Sequence, residues 1–306
     1  MDVATVKDIL KLSRGFTYVA IVWYLIGALF ALLIGASFNV GRLILGYCIV
    51  LPGVIVGTLT NSYYDVVVDK NSTATPISGG TKILSNRPEL KTTIRNLIVF
   101  LFSLSLLLGL VFTIAFSYPL TFFAFIVIAD FFAWAYTAPP LRLVYRGFGE
   151  LWTMIMGGFV MGGFGYFVAK GTIDLSYVLF SLPIMLMMFA FAFYVEIPDR
   201  DADLRGHKKT LVVRMDERFG FIIGSLALAG ATVCFFLFYW LQVFPVSEGF
   251  LIIGLYSFIP VAFAVQGLRK YGANPTTAVP SVFRSSISIL SVLMFIIVYF
   301  VVAIMI

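Results

Sequence analysis

Residues 43–64 read LILGYCIVLPGVIVGTLTNSYY and run directly into Asp65-Val66-Val67-Val68-Asp69. An uncharged apolar run of this length crosses about 30 Å of hydrocarbon as a helix, and this one ends in an amide and two carboxylates spaced four apart. Residues four apart on a helix are offset by about 40° and about 6 Å. Asn61, Asp65 and Asp69 therefore form one oxygen-bearing stripe leaving the membrane, with Val66 to Val68 turned to lipid or neighbouring helices.

The rest of the chain repeats the first half of that pattern. Of its 306 residues 61% are hydrophobic and only 12% charged, with mean hydropathy +1.02, whereas a soluble domain is roughly one quarter charged. Apolar runs predict nine helices, at 16–38, 43–64, 94–116, 119–136, 151–169, 177–195, 219–241, 250–268 and 285–306. The fold class is all-α, a polytopic membrane protein with nine transmembrane helices around a central cavity, read as a single domain over 1–306. A transmembrane β-barrel is excluded, since its strands would alternate polar and apolar over about ten residues. The first run exceeds a signal-peptide core and no small-residue cleavage site follows it, so it is expected to stay in the mature protein. Cys48 and Cys234 lie inside apolar runs and read as small apolar residues rather than a disulfide or metal pair.

With nine spans, the N-terminus and the loops after even-numbered helices share one side. Nineteen of the 21 Lys and Arg fall there, leaving Arg42 and Lys170 opposite. Short cytoplasmic loops retain Lys and Arg, so that side is predicted to be cytoplasmic. The surplus over 15 Asp and Glu is then a matter of topology, and nucleic acid is not expected as a partner.

A second acidic cluster ends the sixth span on the same face. Glu196, Asp199 and Asp203 stand at i, i+3 and i+7, with Pro198 placed to open a new helical segment and Asp201 pointing elsewhere. Carboxylates are common on solvated helix ends, so one cluster carries little weight. Two self-repelling clusters at the edge of a low dielectric are costly unless a cation completes them. Carboxylate and amide oxygens suit Mg²⁺, which commonly bridges to substrate phosphates. Asp65 to Asp199 and Asp69 to Asp203 are both separated by 134 positions, a hint of paired sites and hence of two Mg²⁺ ions. Nearby cations, Arg14, Lys70, Lys82, Arg142, Arg200, Arg205, Lys208 and Lys209, each serve topology taken singly. Together with the acids around one mouth, above apolar helices, they suit a metal-bound diphosphate with a hydrocarbon tail.

These residues resemble the UbiA superfamily of intramembrane prenyltransferases over nearly the whole chain. The first motif reads N-x3-D-x3-D, Asn61 to Asp69, and the second D-x3-D, Asp199 to Asp203, followed by Arg205-Gly206-His207-Lys208-Lys209-Thr210-Leu211. Several segments are most similar to the 1,4-dihydroxy-2-naphthoate prenyltransferases of menaquinone synthesis: Asn61 to Asp65 with its Tyr pair, Ser78-Gly79-Gly80 leading to Lys82, Tyr136-Thr137-Ala138-Pro139-Pro140, Gly147-Phe148-Gly149-Glu150-Leu151, and Lys209-Thr210-Leu211. Ser62 stands where an Asp often follows the Asn, the Arg common after the first motif is missing, and Tyr136 lacks the Lys that some members place four residues later. Lys82 and Arg142 are the candidates to stand in for these two cations.

The resemblance implies Mg²⁺ held by Asn61, Asp65, Asp69, Asp199 and Asp203, with the four aspartates catalytic in the loss of diphosphate. It implies an isoprenyl diphosphate donor contacted by Arg14, Asn61, Lys70, Lys82, Tyr136, Arg142, Glu196, Lys208 and Lys209. The implied acceptor is a hydrophobic or aromatic quinone precursor, with a glycerophosphate ether lipid precursor as the alternative. A cation transporter could also use rings of carboxylates, but transport sites lie near the bilayer midplane on broken helices, and these acids lie at helix ends. The expected location is the cytoplasmic membrane, in contact with its lipid, with the active site near the cytoplasmic face.

Asp130 lies within the fourth span, where an acid is a functional candidate by default; it reads equally as an acceptor contact and as a structural hydrogen bond. His207 reads as a solvated loop residue. Tyr63, Tyr64 and Tyr194 read as interface aromatics, or as π faces for an allylic cation. Glycines 157, 158, 162, 163 and 165 read as close-packing positions, or as room for a prenyl tail.

Overall fold

Each long apolar run folds as helix because no backbone polar group can be left unpaired in hydrocarbon. The structure, a computed structural model, describes residues 3–13, 16–72, 80–273 and 279–306. Among these residues there is no strand. In chain order the helices are α1 (Val3–Leu12), α2 (Phe16–Leu33), α3 (Val40–Tyr64), α4 (Val66–Asn71), α5 (Ile83–Asn86), α6 (Leu90–Ala115), α7 (Leu120–Ala135), α8 (Gly149–Ile155), α9 (Met161–Lys170), α10 (Leu175–Glu196), α11 (Arg200–Arg205), α12 (Leu211–Met215), α13 (Glu217–Trp240), α14 (Ser247–Tyr256), α15 (Phe258–Ala273) and α16 (Val279–Met305). A 3-10 turn, Leu143–Arg146, precedes α8, and a π-helical turn, Met156–Val160, joins α8 to α9.

Seven described helices are long and apolar enough to cross a bilayer: Val40–Tyr64, Leu90–Ala115, Gly149–Lys170, Leu175–Glu196, Glu217–Trp240, Ser247–Gly272 and Val279–Met305. Two shorter apolar helices, Ala20–Leu33 and Leu120–Ala135, occupy the places of the first and fourth expected spans. The outward faces of these helices, long and short, carry bare hydrocarbon: Val99, Phe100, Leu107, Leu120, Leu226 and Val298 are all more than half exposed. A surface of that kind belongs in lipid, and the chain is an integral membrane protein.

The first expected span ends early for a local reason. Gly35 adopts φ 93°, and the Ala36 N–H donates to the Ala31 carbonyl at 2.9 Å, the glycine stop that closes a helix in left-handed geometry. The eighth expected span is two helices, α14 and α15, separated at Ser257, whose hydroxyl donates to the Gly254 carbonyl at 2.7 Å and meets Thr232 Oγ1 at 2.8 Å. Cys48 and Cys234 are free thiols.

Helix α2 packs against α9, α3 against α6 and α10 against α13. The first contact is backbone on backbone. A Cβ added at Gly27 would fall 1.8 Å from the Gly162 carbonyl oxygen, and one added at Gly165 1.9 Å from that of Tyr24. At Gly162 and Gly165 close packing is therefore the role of the glycines. Gly165→Ala is expected to cost about 1–3 kcal/mol by overpacking, read as a lower thermal midpoint in detergent. An unchanged midpoint would contradict the packing.

Candidate active site

The two acidic motifs reach one cavity because both carrier helices bend where they leave the apolar layer. Helix α3 stops at Tyr64, and Asp65 takes φ −92°, ψ 14°, yet the Asp65 N–H still donates to Asn61 O at 2.9 Å and the Asp69 N–H to Asp65 O at 2.8 Å. The expected stripe thus survives a break in the helix, and Asn61, Asp65 and Asp69 line one cavity. On α10, Pro198 ends the ladder after Glu196 and α11 restarts at Arg200. There the Asp203 N–H donates to Asp199 O at 2.9 Å, and Glu196, Asp199 and Asp203 line the same cavity. Asp201 is exposed beside Arg200 at 3.8 Å. Helix α4 packs on α11, with Val68 against Gly206.

Among the described Lys and Arg residues, only Lys208 lines this cavity. Its N–H donates to Asp203 O at 2.9 Å, and its Nζ lies 2.6 Å from Asp65 Oδ2 and 3.7 Å from Asp203 Oδ1. Burial pulls the Lys208 ammonium down, but Asp65, Asp203 and Tyr136 outweigh it and hold its pKa well above the ordinary value. Burial pushes the Asp203 carboxyl up to about 6, with Lys208 opposing and Asp199 and Asp65 adding to the rise.

The other Asp65 oxygen accepts from the Tyr145 hydroxyl at 2.6 Å. Burial and the Asp65 charge raise the pKa of that phenol, so it stays a donor. The Arg142 guanidinium lies 3.9 Å over the Tyr145 ring, a cation–π contact that places Arg142 behind Tyr145 rather than in the cavity. Glu150, fully buried at the start of α8, accepts from the Leu211 N–H and meets the Glu196 carboxyl. These contacts hold the 206–211 loop that carries Lys208. Tyr145 was not legible in the sequence; its one signal is an aromatic set between Arg142 and Arg146 in a polar loop.

The remaining expected residues divide cleanly. Tyr136 lines the cavity, its ring 4.3 Å from that of Trp152. Lys70, Lys82, Arg205, His207 and Lys209 are exposed and do not line it. Neither do Tyr63, Tyr64 and Tyr194. Arg14, Ser78 and Gly79 lie outside the described residues. Below the mouth the wall turns apolar, with Val50, Val54, Ala133, Met161, Phe164 and Phe191; Asp130 lines this deeper part.

The donor set consists of hard oxygens, and Asn61 Oδ1 is buried with no hydrogen-bond partner among the described residues. No three His, Cys, Asp or Glu side chains among those residues stand close enough to hold one ion between them. Mg²⁺ does not require that, being commonly held by one or two carboxylates plus substrate phosphates and water. Asp65 and Asp203, already sharing the Lys208 ammonium, with Asn61 beside them, fit such an ion.

Known proteins share both fold and sequence pattern. Over 178 residues, 58% of this chain, it is 28% identical to the 1,4-dihydroxy-2-naphthoate octaprenyltransferase of Bacillus subtilis (strain 168), spanning 54% of that relative's length. The fold matches a UbiA homologue from Archaeoglobus fulgidus, solved bound to GPP and Mg²⁺, with TM-score 0.64 at 13% identity, covering 95% of this chain and 99% of that one. A structure described for digeranylgeranylglyceryl phosphate synthase gives TM-score 0.63 at 16% identity, covering 99% of this chain and all of that one. The model of the UbiA prenyltransferase family matches residues 20–287, and the chain belongs to that family.

Proposed function

We propose that the protein is an intramembrane prenyltransferase that moves an isoprenyl group from its diphosphate to an aromatic quinone precursor. The observation that carries this reading is the meeting of Asp65, Asp69, Asp199, Asp203 and Lys208 at the mouth of a cavity whose deeper wall is hydrocarbon. That polarity gradient matches a charged headgroup on an apolar tail. The relative from Bacillus subtilis supports the aromatic acceptor.

Asn61, Asp65, Asp69, Asp199 and Asp203 would hold Mg²⁺, two ions on this reading, whose charge assists departure of diphosphate. Lys208, drawn from Asp65, donates to a diphosphate oxygen, and Tyr145 keeps Asp65 oriented. The Tyr136 and Trp152 rings both line the cavity and would offer π faces to an allylic cation. The apolar wall keeps water from quenching that cation to an alcohol before the electron-rich acceptor attacks. We read α2 and α7 as spans, giving nine in one domain over 1–306. The basic loops support an N-terminus and a site on the cytoplasmic face of the cytoplasmic membrane, with membrane lipid at the helices.

Products identified by mass spectrometry from geranylgeranyl diphosphate with either 1,4-dihydroxy-2-naphthoate or a glycerophosphate ether test the acceptor. The prenylated naphthoate is expected, and exclusive prenylation of the glycerophosphate would overturn the aromatic assignment.

Two further outcomes follow from the site. A Cβ at Gly80 would fall 1.4 Å from Asp69 Oδ1, so Gly80→Ala must displace that carboxylate. A misplacement of about 1 Å costs on the order of 100-fold in rate, which initial rates at saturating donor would show; wild-type rates would contradict the role of Asp69. Because the Asp203 pKa lies at about 6, a proton competes with the metal below that pH. The Mg²⁺ concentration for half-maximal rate should rise as pH falls from 7 to 5 and flatten above 7; a requirement independent of pH would remove Asp203 from the metal set.

A further inference from the structure

The deeper cavity carries two polar groups that neither a diphosphate nor a hydrocarbon tail would satisfy. Asp130 on α7 is 4% exposed. It sits in a notch opposite Gly53 of α3, where a Cβ would fall 2.3 Å from Oδ1, and its carboxyl is within reach of Ser105. Oδ2 has no hydrogen-bond partner among the described residues. Trp23 of α2 is 6% exposed, and its Nε1 likewise has no partner. Both residues line the same cavity as the aspartate motifs, among Ala20, Val50, Val54 and Phe164. Buried polar groups are almost always paired, so an acceptor oxygen and a donor N–H left open in one cavity are shaped for a ligand that brings the complement.

Depth decides which part of which ligand. Gly53 precedes Asn61 by eight residues on α3, about 12 Å of helix. Asp130 is therefore too deep to touch the diphosphate. An attacking atom must approach the donor's first carbon to about 3–3.5 Å, so a ring placed to attack extends its far side toward Asp130. A hydrocarbon passing that point would leave both groups desolvated and unpaired.

We propose that Asp130 and Trp23 form an acceptor subsite that recognises a hydroxylated aromatic ring, Asp130 accepting from a ring hydroxyl and the Trp23 N–H donating to a ring oxygen. This rests on the prenyltransferase reading and sharpens it, making these two residues determinants of acceptor specificity.

The test uses the full-length protein in detergent with Asp130→Asn, Asp130→Leu and Trp23→Phe. Binding of 1,4-dihydroxy-2-naphthoate and of its di-O-methyl ether is measured by calorimetry without donor, and KM for acceptor and donor is measured separately by turnover. Loss of one buried hydrogen bond corresponds to about tenfold in affinity. Each variant is expected to raise the acceptor Kd and KM about tenfold while leaving the donor KM within about twofold. Wild type should favour the diol over the ether by about tenfold, and Asp130→Leu should erase that preference. Asp130→Asn conserves shape and Trp23→Phe keeps an aromatic ring while removing the N–H, so the test survives if Asp130→Leu does not fold. Unchanged acceptor binding in both conservative variants would overturn the subsite. So would a change in preferred donor length with acceptor binding intact, which would make Asp130 a gauge of the tail. Absence of turnover in wild type would fail the prenyltransferase reading alone, because binding of the diol without donor still decides the subsite.

Discussion

Asp65→Ala is expected to abolish prenyl transfer, by at least about 1000-fold given the usual worth of a group that stabilises developing charge through a metal, while the protein remains extractable and monodisperse. Asp65 is the centre of the mouth: one oxygen meets Lys208 Nζ at 2.6 Å and the other the Tyr145 hydroxyl at 2.6 Å. On the proposed reading its removal takes away a metal ligand, and it releases both partners. The bundle itself does not depend on it, because Asp65 lies at the bend between α3 and α4, above the apolar clusters that hold the helices together. Asp199→Ala should act alike from the other motif. Initial rates beside gel filtration in detergent check both variants, and normal turnover in either would remove the metal assignment.

Lys208→Met has two opposed effects that separate its roles. Without the ammonium, Asp65 and Asp203 face each other unneutralised, and leaving a buried charge without its partner costs about 3–5 kcal/mol. The thermal midpoint should fall in EDTA and recover with Mg²⁺, since an ion bound only by the folded state stabilises it by mass action. Turnover should not recover with it. A diphosphate would still lack the proposed contact with Lys208, the one described cation that lines the cavity, and kcat/KM for the donor is expected to fall about 100-fold. Lys208→Arg keeps the charge but not the reach of the ammonium, and should restore stability better than rate. A melting curve indifferent to Mg²⁺ in Lys208→Met would contradict the shared cation site.

Much of this site was legible before any coordinates. Four-residue spacing placed Asn61, Asp65 and Asp69 on one stripe, and i→i−4 hydrogen bonds preserve it through the bend at Asp65. The new segment after Pro198 and the outward Asp201 were readable from proline chemistry and helical phase. Selection among the cations was not. A charge count places basic residues on one face but cannot tell Lys208, tied down by its N–H to Asp203 O, from Lys82 and Lys209, which stay in solvent. The position of Arg142 over the Tyr145 ring, outside the cavity lining, is likewise not legible from charge. The span ends slipped where a short signal outranked hydropathy, as at Gly35. That Trp23 and Asp130 line one cavity is not legible in the sequence, since α2 and α7 each reach it through packing on α3.

The carboxylate mouth over an apolar cavity is proposed as a metal-assisted prenyl transfer site. The most direct measurement is turnover of purified wild-type protein with geranylgeranyl diphosphate, 1,4-dihydroxy-2-naphthoate and Mg²⁺, followed by mass spectrometry with and without EDTA. Prenylated naphthoate that forms with Mg²⁺ and disappears with EDTA is the expected result. A folded sample that neither releases diphosphate nor forms a prenylated product, with or without the metal, would contradict it.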